Sequence, residues 1–208
     1  MAVNTPDGVK RGSSVVQVTF WDVSFPAKGT MHKLDGQALY LDLGPGMRPL
    51  IALLTSRLHR KYDAEIRWTE EEGPGTVLML QAYGESWSRD LMDNLPRVAR
   101  LRGPRQIAPK DLPDLVTFAD VNDPSSVIAV DRNNVQASLG ANITWNEIAI
   151  EGTDDPITKG IEQKLSWITT YFENNLRLDG SSLTREETLA NRLTWWDFEQ
   201  SRDLKRNK

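Results

Sequence analysis

The sequence predicts an α+β fold: one domain with a mainly antiparallel twisted sheet and C-terminal helices packed on it. Three observations predict it. Runs of β-branched, aromatic or alternating apolar residues recur between residues 15 and 150, separated by Gly- and Pro-marked turns. Two helix-start signals, at Asp155-Pro156 and Thr184–Glu187, precede apolar residues spaced three and four apart. A chain of 208 residues with 39% apolar and 26% charged content suits one globular domain, not a disordered or membrane-embedded chain.

Residues 1–13 carry Pro6, Gly8 and Gly12 among polar residues and read as a flexible lead-in to a domain over 14–200. Val15–Val23 reads as a strand, closed by Pro26 and Gly29. Gln37–Leu43 alternates, so Leu39, Leu41 and Leu43 share a face, and Gly44-Pro45-Gly46 forms a turn. Leu50–Leu54 reads as the return strand of a hairpin, with a helix start as the alternative, because periodicity cannot decide so short a run. A short helix around Ser56–Tyr62, a short strand Glu65–Trp68, a loop Glu70–Gly75 and a strand Thr76–Tyr83 follow. Ser88–Leu95 reads as a short helix stopped by Pro96.

Pro96, Gly103, Pro104, Pro109 and Pro113 mark 96–114 as a candidate subdomain seam, yet no long polar linker lies there. Leu115–Phe118 and Ile143–Ile150 read as strands, with turns and a short helical segment between Pro124 and Gly140. Asp155 is placed to cap a helix whose first position is Pro156 and whose apolar stripe is Ile157, Ile161, Leu165 and Ile168. Thr184-Arg185-Glu186-Glu187 has the form of a capping box, followed by Leu189, Leu193 and Trp196 on one face. Residues 201–208 read as a polar tail.

Charge narrows function. Twenty-five Lys+Arg against 29 Asp+Glu leave a net −4, which disfavours nucleic-acid binding, where phosphate neutralisation supplies most of the affinity. Cysteine is absent, so disulfides, thiolate nucleophiles and Cys-bearing zinc sites are excluded. The N-terminal residues hold no apolar stretch of the signal-peptide kind, and no 18-residue apolar run occurs, so a cytoplasmic protein is the expectation.

Asp120-Val121-Asn122-Asp123-Pro124, Val130-Asp131, Ala137-Ser138-Leu139-Gly140 and Thr153-Asp154-Asp155-Pro156-Ile157-Thr158-Lys159-Gly160-Ile161-Glu162, followed by Leu165-Ser166-Trp167, carry a resemblance. Over residues 112–168 the chain resembles a family of uncharacterised proteobacterial proteins whose pattern runs DL-x-DP, VDP, S-F-G-P-G and TDDPVTxGIE-x-LPWL. It departs from that pattern at Arg132, at Ala141-Asn142 and at Ser166, where the family has proline or Pro-Gly. The resemblance implies a bacterial origin and brings no known activity.

Each candidate for chemistry has a structural competitor. Asp154, Asp155 and Glu162 would form a carboxylate cluster if they converged, but helix capping explains the aspartates at lower cost. Asn122, Asp123 and Asp131 suit turns and lack the spacing of a calcium loop. His59 lies among Arg57, Arg60 and Lys61, which oppose its protonation, and His32 sits beside Lys33 in a turn-like stretch; both read as surface histidines. Gly44-Pro45-Gly46 and Gly73-Pro74-Gly75 lack the N–H groups of a phosphate loop. Arg97, Arg100, Arg102, Arg105 and Lys110 form a basic run without an aromatic stacking platform and read as a solvated face. No metal or cofactor is expected.

Trp21, Trp145 and Trp167 read as core residues. Trp195 and Trp196, adjacent on a helix, point about 100° apart, so either one is exposed for binding or the helix is wedged between two surfaces. Glu70, Glu71 and Glu72 precede a protruding turn and suit the steering of a basic protein partner. The expected function is a non-catalytic intracellular binding protein that occludes a bacterial partner, with an immunity protein that neutralises a toxin as its favoured form. Glu70–Glu72, Trp195 and Trp196 would be the partner-binding residues, with no catalytic residue. A structural or assembly subunit of a phage or secretion system, or a carboxylate-dependent enzyme, is the alternative.

Overall fold

A computed structural model describes residues 1–23, 29–56, 78, 82–84, 91–185 and 188–201. The fold is α+β, and every strand pairing among these residues is antiparallel. At its centre lie β5 (Leu39–Leu41), β6 (Leu50–Ala52), β8 (Leu115–Phe118) and β9 (Val127–Val130), hydrogen-bonded in the order β5-β6-β8-β9. Two hairpins build this sheet. The first turns at Gly44, whose carbonyl accepts from Met47 N at 3.2 Å.

Side chains alternate across the pleat, and both faces are covered. Tyr40, Ile51, Val116, Phe118 and Val127 enter one core cluster. Leu39, Leu41, Leu50, Ala52, Leu115 and Val130 enter the other. Cross-strand register agrees: Tyr40 lies opposite Ile51, Ile51 opposite Val116, and Leu115 opposite Val130. Residues 161–198 cover the first face with Ile161, Leu165, Trp167, Ile168, Leu178, Leu193 and Phe198. The second face is covered by Val3, Leu112, Val135, Ile143 and Ile148.

The other described strands form small separate sheets. β1 (Ala2–Thr5) lies between β2 (Gly8–Arg11) and β10 (Thr144–Glu147). β3 (Gln17–Val23) and β4 (Gly29–Asp35) form a ribbon, and β7 (Arg105–Gln106) pairs with β11 (Ala149–Ile150). Phe20 on the ribbon packs with Leu95, Val98 and Leu101 at the end of the helix Leu91–Val98.

Several sequence expectations are corrected. Residues 1–13 contain the β1–β2 hairpin, because Val3, fully buried, belongs to the second core cluster. His32 lies in β4, not in a turn. Leu78 and Ala82 are helical where a strand was expected over Thr76–Tyr83. The helix Leu91–Val98 runs through Pro96, and Ala99 N still donates to Leu95 O at 2.8 Å. Val127–Val130 is a strand inside the segment assigned to turns and a short helix, which is the segment Val135–Leu139. The strand expected over Ile143–Ile150 breaks at buried Ile148, whose carbonyl accepts from Ile107 N at 3.0 Å. The expected short helix near Ser56–Tyr62 falls mostly, and the strand Glu65–Trp68 wholly, outside the described residues.

No α-helix starts at Pro156. Asp155 caps nothing; its own N–H donates to Thr153 Oγ1 at 3.1 Å. Gly160 adopts φ 101°, a left-handed conformation that breaks helical phase, and only a 3₁₀ turn, Ile161–Gln163, follows before the helix Ile168–Glu173. Ile161, Leu165 and Ile168 are nevertheless buried together, so the apolar spacing marked burial without marking a helix. Near the C-terminus Thr188, not Thr184, caps a helix: its Oγ1 accepts from Asn191 N at 3.1 Å ahead of Leu189–Arg192. Leu193 is extended, so Trp196 loses the face shared by Leu189 and Leu193.

Buried Asn191 anchors the loop 177–185. Its amide nitrogen donates to Asp179 Oδ2 (2.7 Å), Ser181 Oγ (2.9 Å) and Leu183 O (3.0 Å), and its amide oxygen accepts from Arg185 N at 2.6 Å. Truncation would strand several of these groups. Asn191→Ala is expected to lower the unfolding free energy in urea by about 2 kcal/mol. Asp154→Ala removes only an exposed pair with Arg102 and is expected to cost under about 1 kcal/mol. Equal losses for the two variants would contradict this assignment.

Candidate functional site

Among the described residues the C-terminal segment assembles an aromatic shelf at the surface. The helix Ile168–Glu173 supplies Phe172, and the 3₁₀ turn Trp195–Asp197 supplies the two tryptophans. Phe172 and Trp195 meet edge-to-face with ring centroids 4.7 Å apart, and Trp195 meets Trp196 the same way at 5.3 Å. Trp196 is 41% exposed; Trp195 is half-buried beneath it.

The turn is pinned from below. Asp197 is fully buried; Thr55 Oγ1 donates to its Oδ1 at 2.6 Å, and Thr194 N donates to its Oδ2 at 2.8 Å. Leu54 N donates to Asp197 O at 2.9 Å and Ala38 N to Phe198 O at 2.8 Å. Phe198 fills the core against Phe118 and Trp167. The shelf therefore stands on backbone tied to the central sheet.

A second exposed apolar pair lies on the β3–β4 ribbon. Trp21 and Met31 face each other across the strands, 41% and 50% exposed. This corrects the core assignment of Trp21: alternation gives Phe20 to the packed face and turns Trp21 outward. Trp145 packs against the second cluster and donates from Nε1 to Arg132 O at 2.8 Å, while Trp167 is buried and donates to Val121 O at 3.1 Å.

The three carboxylates weighed as a cluster have separate surroundings. Asp154 is gripped by Arg102 Nη2 at 2.7 and 2.9 Å, Asp155 is exposed, and Glu162 Oε2 accepts from Gln37 Nε2 at 3.5 Å. Among the described residues no group of three metal-ligating side chains assembles. Asp123 and Asp131 accept from backbone N–H groups two residues on, at 2.9 and 2.8 Å, as turn residues do. His32 stands 6.2 Å from the Phe20 ring. Glu70, Glu71, Glu72 and His59 lie outside the described residues.

The basic run Arg97, Arg100, Arg102, Arg105 and Lys110 is exposed. It has an aromatic neighbour that its own sequence lacks: Arg105 sits 5.3 Å over the ring of Tyr83, whose hydroxyl donates to Gly103 O at 2.8 Å. A cleft of about 460 Å³ lies between Gly46–Pro49 and Phe118–Val121, with Arg48 and Asp120 on its walls.

Sequence reasoning missed a buried glutamate. Glu199 is 1% exposed; its Oε1 accepts from Ser201 N at 2.7 Å, and its Oε2 has no hydrogen-bond partner. Burial pushes this carboxyl above the usual range. Ser201 and the Gln37 amide oppose that rise, and the Glu162 charge adds to it. The run Trp-Trp-Asp-Phe-Glu-Gln gives no periodic signal for burial of Glu199, because its strand-like bridge to Gln37 is isolated.

The two tryptophans should differ in stability. Trp195→Ala is expected to lose about 1–3 kcal/mol through its contact with Phe172, whereas Trp196→Ala stays within about 1 kcal/mol of wild type in chemical denaturation.

No family model, no curated protein and no solved structure matches the chain. Among the described residues, no helix is long and apolar enough to cross a membrane.

Proposed function

We propose that the protein is a non-catalytic, cytoplasmic binding protein that occludes a partner protein, as an immunity protein does for a bacterial toxin. The observation that carries this reading is Trp196, exposed on a shelf whose backbone is pinned by Asp197 and Phe198. A large aromatic surface held in advance of binding loses little conformational entropy on association, and tryptophan is enriched among residues that dominate interface energy. Trp21 and Met31 offer a second apolar contact of the same kind. The net charge of −4 and the Glu70-Glu71-Glu72 run favour a basic partner, drawn in by long-range attraction. The proteobacterial setting rests on the motif over residues 112–168.

The test is to look for a toxin gene beside this one and to compare binding kinetics against its product; the absence of such a gene would count against the reading. Trp196→Ala is expected to raise the dissociation rate about tenfold or more while leaving association within about twofold. Replacing Glu70, Glu71 and Glu72 together by Gln should slow association several-fold at low salt, and the difference should vanish at high salt. A Trp196→Ala variant with wild-type dissociation would remove the shelf from the interface.

A further inference from the structure

Three segments meet at Gln37: the link between β4 and β5, the 3₁₀ turn Ile161–Gln163, and the C-terminal residues Phe198–Ser201. Gln37 Oε1 accepts from Ile161 N at 2.9 Å, while Gln37 Nε2 reaches Glu162 Oε2 at 3.5 Å. Residues 37 and 199 form an isolated antiparallel bridge, and Gln200 N donates to Gly36 O at 2.9 Å. Ser14 Oγ donates to Gln37 O at 2.6 Å from a fourth segment.

Glu199 is buried in this junction with one oxygen bonded and one orphaned. Glu162, exposed, keeps water around its own carboxylate. Desolvation and the nearby Glu162 charge both oppose ionisation of the Glu199 carboxyl. The facing groups on the other segments are Gln37 and Ser14, both uncharged, and Asp35 is engaged by Lys33 at 2.9 Å. Among the described residues no cation touches Glu199 to offset the charge.

We propose that Glu199 is a proton-operated latch, which holds the Glu199–Ser201 strap against Gly36–Ala38 when protonated and loosens it when ionised. The latch belongs to the free protein. Its consequence for binding rests on the proposed function, because the same strap begins three residues after Trp196.

The sign follows from linkage. A carboxyl raised in the closed state and ordinary in the open state favours closure fully below the ordinary glutamate range. That advantage is lost as pH rises through the raised value. The unliganded protein is tested by amide hydrogen exchange between pH 5 and pH 8, with each rate divided by its intrinsic rate to give an opening constant. In wild type the opening constants of the Gln200 and Ala38 amides should rise with pH, by about tenfold for each unit by which the carboxyl is raised. Glu199→Gln should be flat and more protected at pH 8. Glu162→Gln should keep the rise but shrink it. A flat wild type, or Glu199→Gln rising as wild type does, overturns the latch. If Glu199→Gln does not fold, the wild-type protein decides: opening constants of the Gln200 and Ala38 amides that do not rise between pH 5 and pH 8 overturn the proposal. Because no partner is present, failure here leaves the shelf's role in binding to be judged by its own kinetics.

Discussion

The structure depends on a four-stranded sheet that is apolar on both faces. Burying both faces of β5-β6-β8-β9 takes two separate coverings, and the chain supplies them from different regions: residues 161–198 on one side, and β1 with residues 112 and 135–148 on the other. Apolar burial of this kind is the dominant favourable term in folding. It explains why the N-terminal strand is required although its own sequence is polar beyond Ala2 and Val3: the second face would otherwise lie partly open. It also explains why the described strands form several sheets, because strands recruited as covers pair with each other and not with the centre.

The same sheet positions the aromatic shelf. Thr55 and Leu54, just beyond β6, hold Asp197, and Ala38, just before β5, holds Phe198. Gly36 is needed at this junction, since a Cβ there would lie 2.5 Å from Val16 Cγ1. The shelf is thus set by contacts more than 140 residues apart in sequence, and its rigidity derives from the core, not from the short helices that carry it. Helices of four to six residues are too short to be stable alone.

Legibility in the sequence followed this division. The central strands Leu39–Leu41, Leu50–Ala52 and Leu115–Phe118 were readable because turn residues bracket them, and the shared face of Leu39, Leu41 and Leu43 was correct. Val127–Val130 was not, because this four-residue strand at the end of the sheet buries only its two end residues, Val127 and Val130, which enter opposite core clusters, so no alternation marks it. Ile161, Leu165 and Ile168 were identified as buried but assigned the wrong backbone, since Gly160 breaks the helix without disturbing their spacing. At the site, adjacency alone showed that Trp195 and Trp196 could not share one core. It could not show which one emerges, because that depends on Leu193 leaving the helix. Glu199 was illegible because its burial arises wholly from long-range contacts.

Asp197 and Glu199, two positions apart, show how such contacts divide roles between chemically similar groups. Both are buried within the same short segment. Asp197 meets donors at both oxygens, from Thr55 on one and Thr194 on the other, so its burial is matched by bonds that fix the turn. Glu199 meets a donor at one oxygen only and shares its surroundings with Glu162. A buried polar group costs little when its bonds are complete and much when they are not. The difference lies in the surroundings and not in the residue type: the first group is a structural pin, and the second is a buried carboxyl with one oxygen left unbonded.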